Sequence, residues 1–298
     1  MVKDNFNVSV VIPTFNRDVS LIRAIDSVND QTLTANEIIV VDDCSNFPVS
    51  ELLENYNMIK VIRNYKNLGA SQSRNIGVNH SIFNYVAFLD SDDSWHPNKL
   101  EKQIEIASEH PDVSIIYCAQ YVVDKFNNIL EFEKKLIDKD IWINLVYGWT
   151  APNTSTILLK KCIFKKLGGF DPELTSCQDH DLWMKIAIRN EKVKYSSERL
   201  AYFHMGEYNR ISFDYYNRLN GASLFLDKWK GTIVTKHGLS HYNWFKRDYF
   251  SKVSLPIFNF SLSQFQFKKA TLIYLKYLFY YPQFYRSLLN NIKKLLFK

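Results

Sequence analysis

The sequence predicts an α/β protein: a mostly parallel sheet flanked by helices, followed by a helical, basic and aromatic C-terminal extension. Three observations predict it. Apolar runs rich in β-branched residues alternate with segments of helical apolar spacing over the first third of the chain. Three of those runs end abruptly in polar or acidic residues. From residue 242 onward, ten Lys and Arg stand against one acid, Asp248, among dense Tyr and Phe.

The elements follow in order. Val8–Ile12 reads as a strand covered on both faces. Leu21, Ile22, Ile25 and Val28 have helical spacing, and Glu37–Val41 is a second strand ended by Asp42 and Asp43. Met58–Ile62 is a third strand, Ala70–His80 a short helix, and Tyr85–Leu89 a fourth strand. Pro97–Glu109 starts as a helix at Pro, and Val113–Val122 is again a strand. This rhythm implies right-handed crossovers, with ligands outside the carboxyl ends of the strands. The polar residues Pro13–Arg17, Asp42-Asp43 and Asp90–Asp93 should therefore meet in one crevice. The middle section is less regular: Trp149–Leu159 reads as a strand, Gly168–Pro172 as a turn, Asp179–Ile188 as a helix and Val193–Tyr202 as a strand. Beyond Ser212 the chain turns helical.

Composition excludes several classes. With 298 residues, 46% of them hydrophobic, the chain has material for one large domain and an appendage. Cys44, Cys118, Cys162 and Cys177 form no CxxC pair, against zinc or a disulfide framework and in keeping with a reducing compartment. The N-terminal residues lack the pattern of a secretory signal, and no run of about 18 apolar residues suggests a spanning helix. The GxGxxG, GxxxxGK[ST] and GxSxG patterns are absent, against a dinucleotide enzyme, a P-loop ATPase and a nucleophile-elbow hydrolase.

The strand Tyr85–Leu89 stops at Asp90, Asp92 and Asp93. Clustered carboxylates repel unless a cation or a polar network holds them. Hard divalent cations take oxygen ligands and are commonly shared between carboxylates and a substrate phosphate. The stretch reads either as a metal–diphosphate site or as a solvated turn with acidic capping residues. Asp93 fits the capping role better than a ligand role.

SVVIPTFNR (residues 9–17), EIIVVDDCS (37–45), NLGASQSRNIG (67–77), FLDSDDSWHP (88–97), GGFDP (168–172) and QDHDLWMKIA (178–187) together resemble glycosyltransferase family 2 in order and spacing. The resemblance covers roughly residues 7–212. It implies a GT-A fold over residues 1–211, with a nucleotide-binding half (1–125) and an acceptor-binding half (126–211), before the helical region 212–298. It also implies inverting transfer of a sugar from a UDP-sugar to a glycan hydroxyl, with Mn²⁺ or Mg²⁺. Direct transfer to a polyprenyl phosphate and a non-catalytic nucleotide-sugar-binding subunit are the alternatives.

Residue by residue, the resemblance puts Pro13 and Thr14 in the loop against the base and Asp43 on the uracil N–H. Asn67 and Arg74 fall in the N-x-G…RN segment, with Arg74 facing the diphosphate or the Asp cluster. Asp90 would meet ribose or Arg74, Ser91 would approach the ribose, and Asp92 would ligate the metal. His204 would complete the metal shell or touch the diphosphate. The family's base is the Asp of a Glu-Asp pair opening a helix. Here the pair is Gln178-Asp179, so Asp179 is the candidate base and Asp181 its rival. Trp149 and Trp183 read as core aromatics before they read as sugar platforms. The basic tail has the composition of a membrane-surface helix. An oligomerising appendage is the competing reading, and a nucleic-acid surface is not expected. The expected setting is the cytoplasm, at the inner face of the cell membrane.

Overall fold

The computed structural model describes residues 6–56, 58–124, 126, 128–130, 140–147, 151–205, 215–263 and 271. Trp149, residues 206–214 and the tail beyond 263 (residue 271 apart) lie outside the described residues. The described residues within Met1–Glu173 and Gln178–Tyr208 form one compact unit, and those within Leu174–Cys177 and Asn209–Lys298 a second.

The first unit is an α/β sheet with helices against it. Its parallel half is β1 (Val8–Thr14), β2 (Glu37–Asp42), β3 (Ile59–Arg63) and β4 (Tyr85–Phe88), ordered β3-β2-β1-β4. Every residue of β1 and β4 is buried, as expected of strands covered on both faces, and the one polar residue within the apolar part of β1, Ser9, donates its hydroxyl to Glu37 at 2.8 Å. The helices between them are α1 (Val19–Asn29), α2 (Val49–Leu52) and α3 (Ala70–His80). α1 buries Leu21, Ala24, Ile25 and Val28, one face at helical spacing, and Asp18 caps its first N–H at 2.6 Å. α3 lies close against β1: a Cβ at Gly77 would overlap the side chain of Val11. After β1 the chain winds to one side through β2 and β3, then returns to the other side of β1 as β4. The order reverses between β1 and β4, and such a switch point opens a crevice at the strands' carboxyl ends.

The other half of the sheet departs from the alternation. β5 (Ser94–Trp95) follows the acidic turn, then α4 (Lys99–Glu109) and β6 (Ile115–Val123). β7 (Ile129–Leu130) pairs with β6, and α5 (Ile141–Tyr147) follows. β8 (Ile157–Lys160) runs antiparallel to both β4 and β6, and is entered through a 3-10 turn at Thr154–Thr156. Of the strand expected over Trp149–Leu159, the described residues form only the part from Ile157, because Asn153 caps a tight turn before it. After α6 (Lys161–Lys166) and α7 (Gln178–Ile188), β9 (Val193–His204) pairs parallel with β6 and antiparallel with β5. α4 begins two residues later than Pro97, with Asn98 at the cap position. Asp93 is therefore not the N-cap of α4. It is fully buried instead.

Lys99 is also fully buried. Its Nζ donates to Gln103 Oε1 at 2.8 Å and stands 4.0 Å from the Trp95 ring centroid. Burial pulls its pKa down to about 8.

The second unit contains α8 (Tyr215–His237) and α9 (Leu239–Ser263), joined at Gly238 with φ +85°. Ala222, Phe225, Leu226, Trp229 and Ile233 of α8, with Tyr242, Phe245, Tyr249 and Val253 of α9, are buried at helical spacing. Phe225 stacks on Tyr249 at 4.9 Å. Among the described residues no helix is long and apolar enough to cross a membrane.

Candidate active site

The carboxyl ends of β1, β2 and β4 supply the polar residues of the crevice. Pro13 and Thr14 are not in a loop: they are the last two residues of β1, buried and paired in register with Val41 and Asp42. Asp42 is fully buried and structural, its oxygens accepting from the Ser45 N–H (2.9 Å) and Arg63 (2.8 Å). Asp43 points elsewhere. Its Oδ1 accepts from Asn64 Nδ2 and the Leu68 N–H, both at 2.8 Å, and its Oδ2 from the Gly69 N–H at 2.7 Å. Gly69 takes φ +85°, which turns that N–H onto the carboxylate and starts α3. Asp43 is thereby fixed in direction, with one acceptor position left on Oδ2. Asn67, one residue before Leu68, is exposed.

The acidic turn after β4 is the most strongly charged feature. Carboxylate oxygens of Asp90, Asp92 and Asp93 lie within 4.8 Å of one another. Arg74 of α3 pairs with Asp90 at 2.5 Å. Its guanidinium carbon is 5.2 Å from the centroid of Phe170. Arg17 reaches Asp92 Oδ2 at 3.5 Å, and Arg23 donates to the Asp92 carbonyl at 2.8 Å. Ser91 is a buried turn residue between the first two acids. Thr14 Oγ1, Ser71 Oγ and Arg74 Nε, at the end of β1 and the start of α3, are buried with no hydrogen-bond partner among the described residues.

His204 ends β9 and is buried. Its Nε2 lies 3.0 Å from Ser94 Oγ, so it engages the residue after the acidic turn and is not one of the clustered ligand groups. The two candidate bases on α7 separate cleanly. Asp181 is fully buried and paired with Lys185 at 3.1 Å, whereas Asp179 is half-buried at the first turn of the helix. Trp183 is core: its indole N–H donates to the Pro152 carbonyl at 3.1 Å and its ring meets Tyr117 edge-on.

The profile of glycosyl transferase family 2 matches residues 9–168. The chain belongs to that family. An uncharacterized glycosyltransferase of Haemophilus influenzae is 31% identical over 206 residues, which are 66% of this chain and 68% of that protein. The UDP-Glc:alpha-D-GlcNAc-diphosphoundecaprenol beta-1,3-glucosyltransferase WfgD of Escherichia coli is 29% identical over 191 residues, covering 63% and 72% of the two chains. Among solved structures, S. aureus TarS 1–349 in complex with UDP-GlcNAc aligns with a TM-score of 0.63 at 17% identity, over 96% of this chain and 92% of that one. That likeness establishes the GT-A fold.

Two features of this family 2 glycosyltransferase escaped the reading of its sequence. Asn75, beside Arg74, donates to the Phe170 carbonyl (2.8 Å) and accepts from the Phe170 N–H (2.9 Å), binding the GGFDP turn to α3. Lys185, the partner of Asp181, also donates to the Gly169 carbonyl at 2.8 Å. The motifs SRN, GGFDP and QDHD are thus one connected polar assembly, although about a hundred residues separate the first from the last. The only local signal was the Asn that follows Arg74.

Proposed function

We propose that the chain transfers a sugar, with inversion, from a UDP-sugar to a hydroxyl of a glycan carried on a lipid. The observation that carries the reading is the group of three carboxylates at the end of β4, beside Arg74 and at the switch point of the sheet. The donor set consists of hard oxygens close enough to share one ion, which fits Mn²⁺ or Mg²⁺. Asp92, with Asp90 and Asp93 beside it, would hold that ion, and bound there it supplies positive charge for the departing diphosphate.

The rest of the chemistry belongs to the protein. Asp43 offers its remaining Oδ2 acceptor position to the imide N–H of uracil, while Pro13, Thr14 and Asn67 flank the base and Ser91 the ribose. Arg74 contributes a planar fork of donors to the phosphates. Asp179 takes the proton of the acceptor hydroxyl as that oxygen attacks the anomeric carbon and the bond to the diphosphate breaks. The transition state has oxocarbenium character, so a fixed carboxylate nearby is favourable as well as basic. The UDP-glucose donor and diphosphoundecaprenol-linked acceptor in the name of WfgD support the substrate class, as does UDP-GlcNAc bound to TarS.

The test is UDP release from a panel of UDP-sugars with lipid-linked glycans as acceptors. Release is expected with one donor, lost in EDTA and restored by Mn²⁺. Release that needs only a bare polyprenyl phosphate would replace the glycan acceptor, and no release with any pair would leave a binding subunit.

The basic, aromatic C-terminal sequence supports a place at an anionic membrane surface for the same enzyme. The full chain is expected to co-sediment with vesicles containing phosphatidylglycerol and to dissociate as salt is raised. Equal binding to neutral phosphatidylcholine vesicles would remove the electrostatic anchor.

A further inference from the structure

Ser155 is a fully buried hydroxyl in the 3-10 turn before β8, 62 residues beyond Asp93 in the sequence. It makes two bonds to the acidic turn. Its Oγ accepts from the Asp90 N–H at 3.1 Å and donates to Asp93 Oδ2 at 2.7 Å. One hydroxyl thus grips the first and last residues of Asp90–Asp93, a turn already closed by Asp93 N–H to the Asp90 carbonyl at 2.9 Å. The single hydroxyl proton goes to the carboxylate and a lone pair takes the amide, so both bonds form together.

The backbone of Ser155 is itself held at both ends. Its N–H donates to Asn153 Oδ1 at 3.1 Å, and its carbonyl accepts from the Trp95 indole N–H at 2.8 Å. Trp95 lies just past the acidic turn in β5, and next along the chain the Thr156 carbonyl accepts from Gln103 at 2.9 Å. Asp93 has no exposed surface, and a buried carboxylate keeps its direction only where donors fix it.

We propose that Ser155 is a positioning residue for the metal–diphosphate site, holding Asp93 and the main chain of Asp90 so that the carboxylate group keeps the spacing one divalent ion requires. This rests on the proposed metal-dependent transfer. Residues that orient ligands from behind typically contribute about 10- to 100-fold to metal affinity.

The experiment is direct Mn²⁺ binding by the full chain in the presence of UDP, read from the free-ion signal in electron paramagnetic resonance, beside the melting temperature of each variant. Ser155→Ala is expected to weaken Mn²⁺ binding by about tenfold, and to raise the Mn²⁺ concentration for half-maximal turnover in proportion. Ser155→Cys, nearly isosteric and a weaker donor, is expected to fall between Ala and wild type, and keeps the test open if Ser155→Ala does not fold. Wild-type Mn²⁺ affinity in either folded variant, whatever its melting temperature, would overturn the role of Ser155 and leave the transferase reading standing. A wild-type chain that takes up no Mn²⁺ with UDP would overturn the metal site itself, and this role with it.

Discussion

Asp92→Ala is expected to lower kcat by about a thousandfold, corresponding to roughly 4 kcal/mol of transition-state stabilisation. The size follows from its place. Asp92 stands in the middle of three carboxylates whose oxygens lie within 4.8 Å, on a turn held below by Ser155 and beside by Arg74. Removing the central acid removes a ligand and one of the charges that make a divalent ion worth holding. UDP binding should weaken in the presence of Mn²⁺ and be little changed in EDTA. Calorimetry with UDP, with and without the metal, separates the two. Unaltered Mn²⁺-dependent UDP binding in the variant would take Asp92 out of the ligand role.

The second large effect concerns proton transfer. Asp179→Asn is expected to cut kcat by about 10²- to 10⁴-fold while UDP binds as in wild type, since a positioned base contributes on that order. Asp181→Asn should act differently. Asp181 is fully buried against Lys185, and breaking such a pair costs about 3 kcal/mol or more in stability. Its variant should therefore show a lower melting temperature. A stable Asp181→Asn enzyme without turnover, beside an active Asp179→Asn, would exchange the two roles.

Much of this could be read from the chain. β1, β2 and β4 carry their burial in predominantly apolar, β-branched-rich runs, and each ends where the polarity changes. The crevice residues Asp43, Asp90 and Asp92 stood out because charge at the end of a buried strand is costly without a purpose, whereas Arg74, on α3, stood out through the resemblance of its segment to the family's motif. What escaped was carried by partners far apart in sequence. Asp93 looked like a cap because a Pro-led helix follows, yet its partner is Ser155, 62 residues on. Asn75 looked like one more polar residue on α3, yet it holds Phe170, 95 residues on. β5 is two residues long and among the described residues pairs with β9 alone, so no local period marks it. β8 runs against β4, a direction that hydrophobic pattern does not encode.

The antiparallel seat of β8 bears on how the chain is made. Synthesis delivers β1 to β4 first, and those strands can pair as soon as they emerge. β4 then has an open edge until Ile157–Lys160 arrives, some seventy residues later. A bare, fully apolar edge of that kind invites pairing with other nascent chains. Newly made protein is thus most vulnerable to clumping on the ribosome during that interval, and the arrival of one short strand both seals the edge and brings the hydroxyl that steadies the acidic turn.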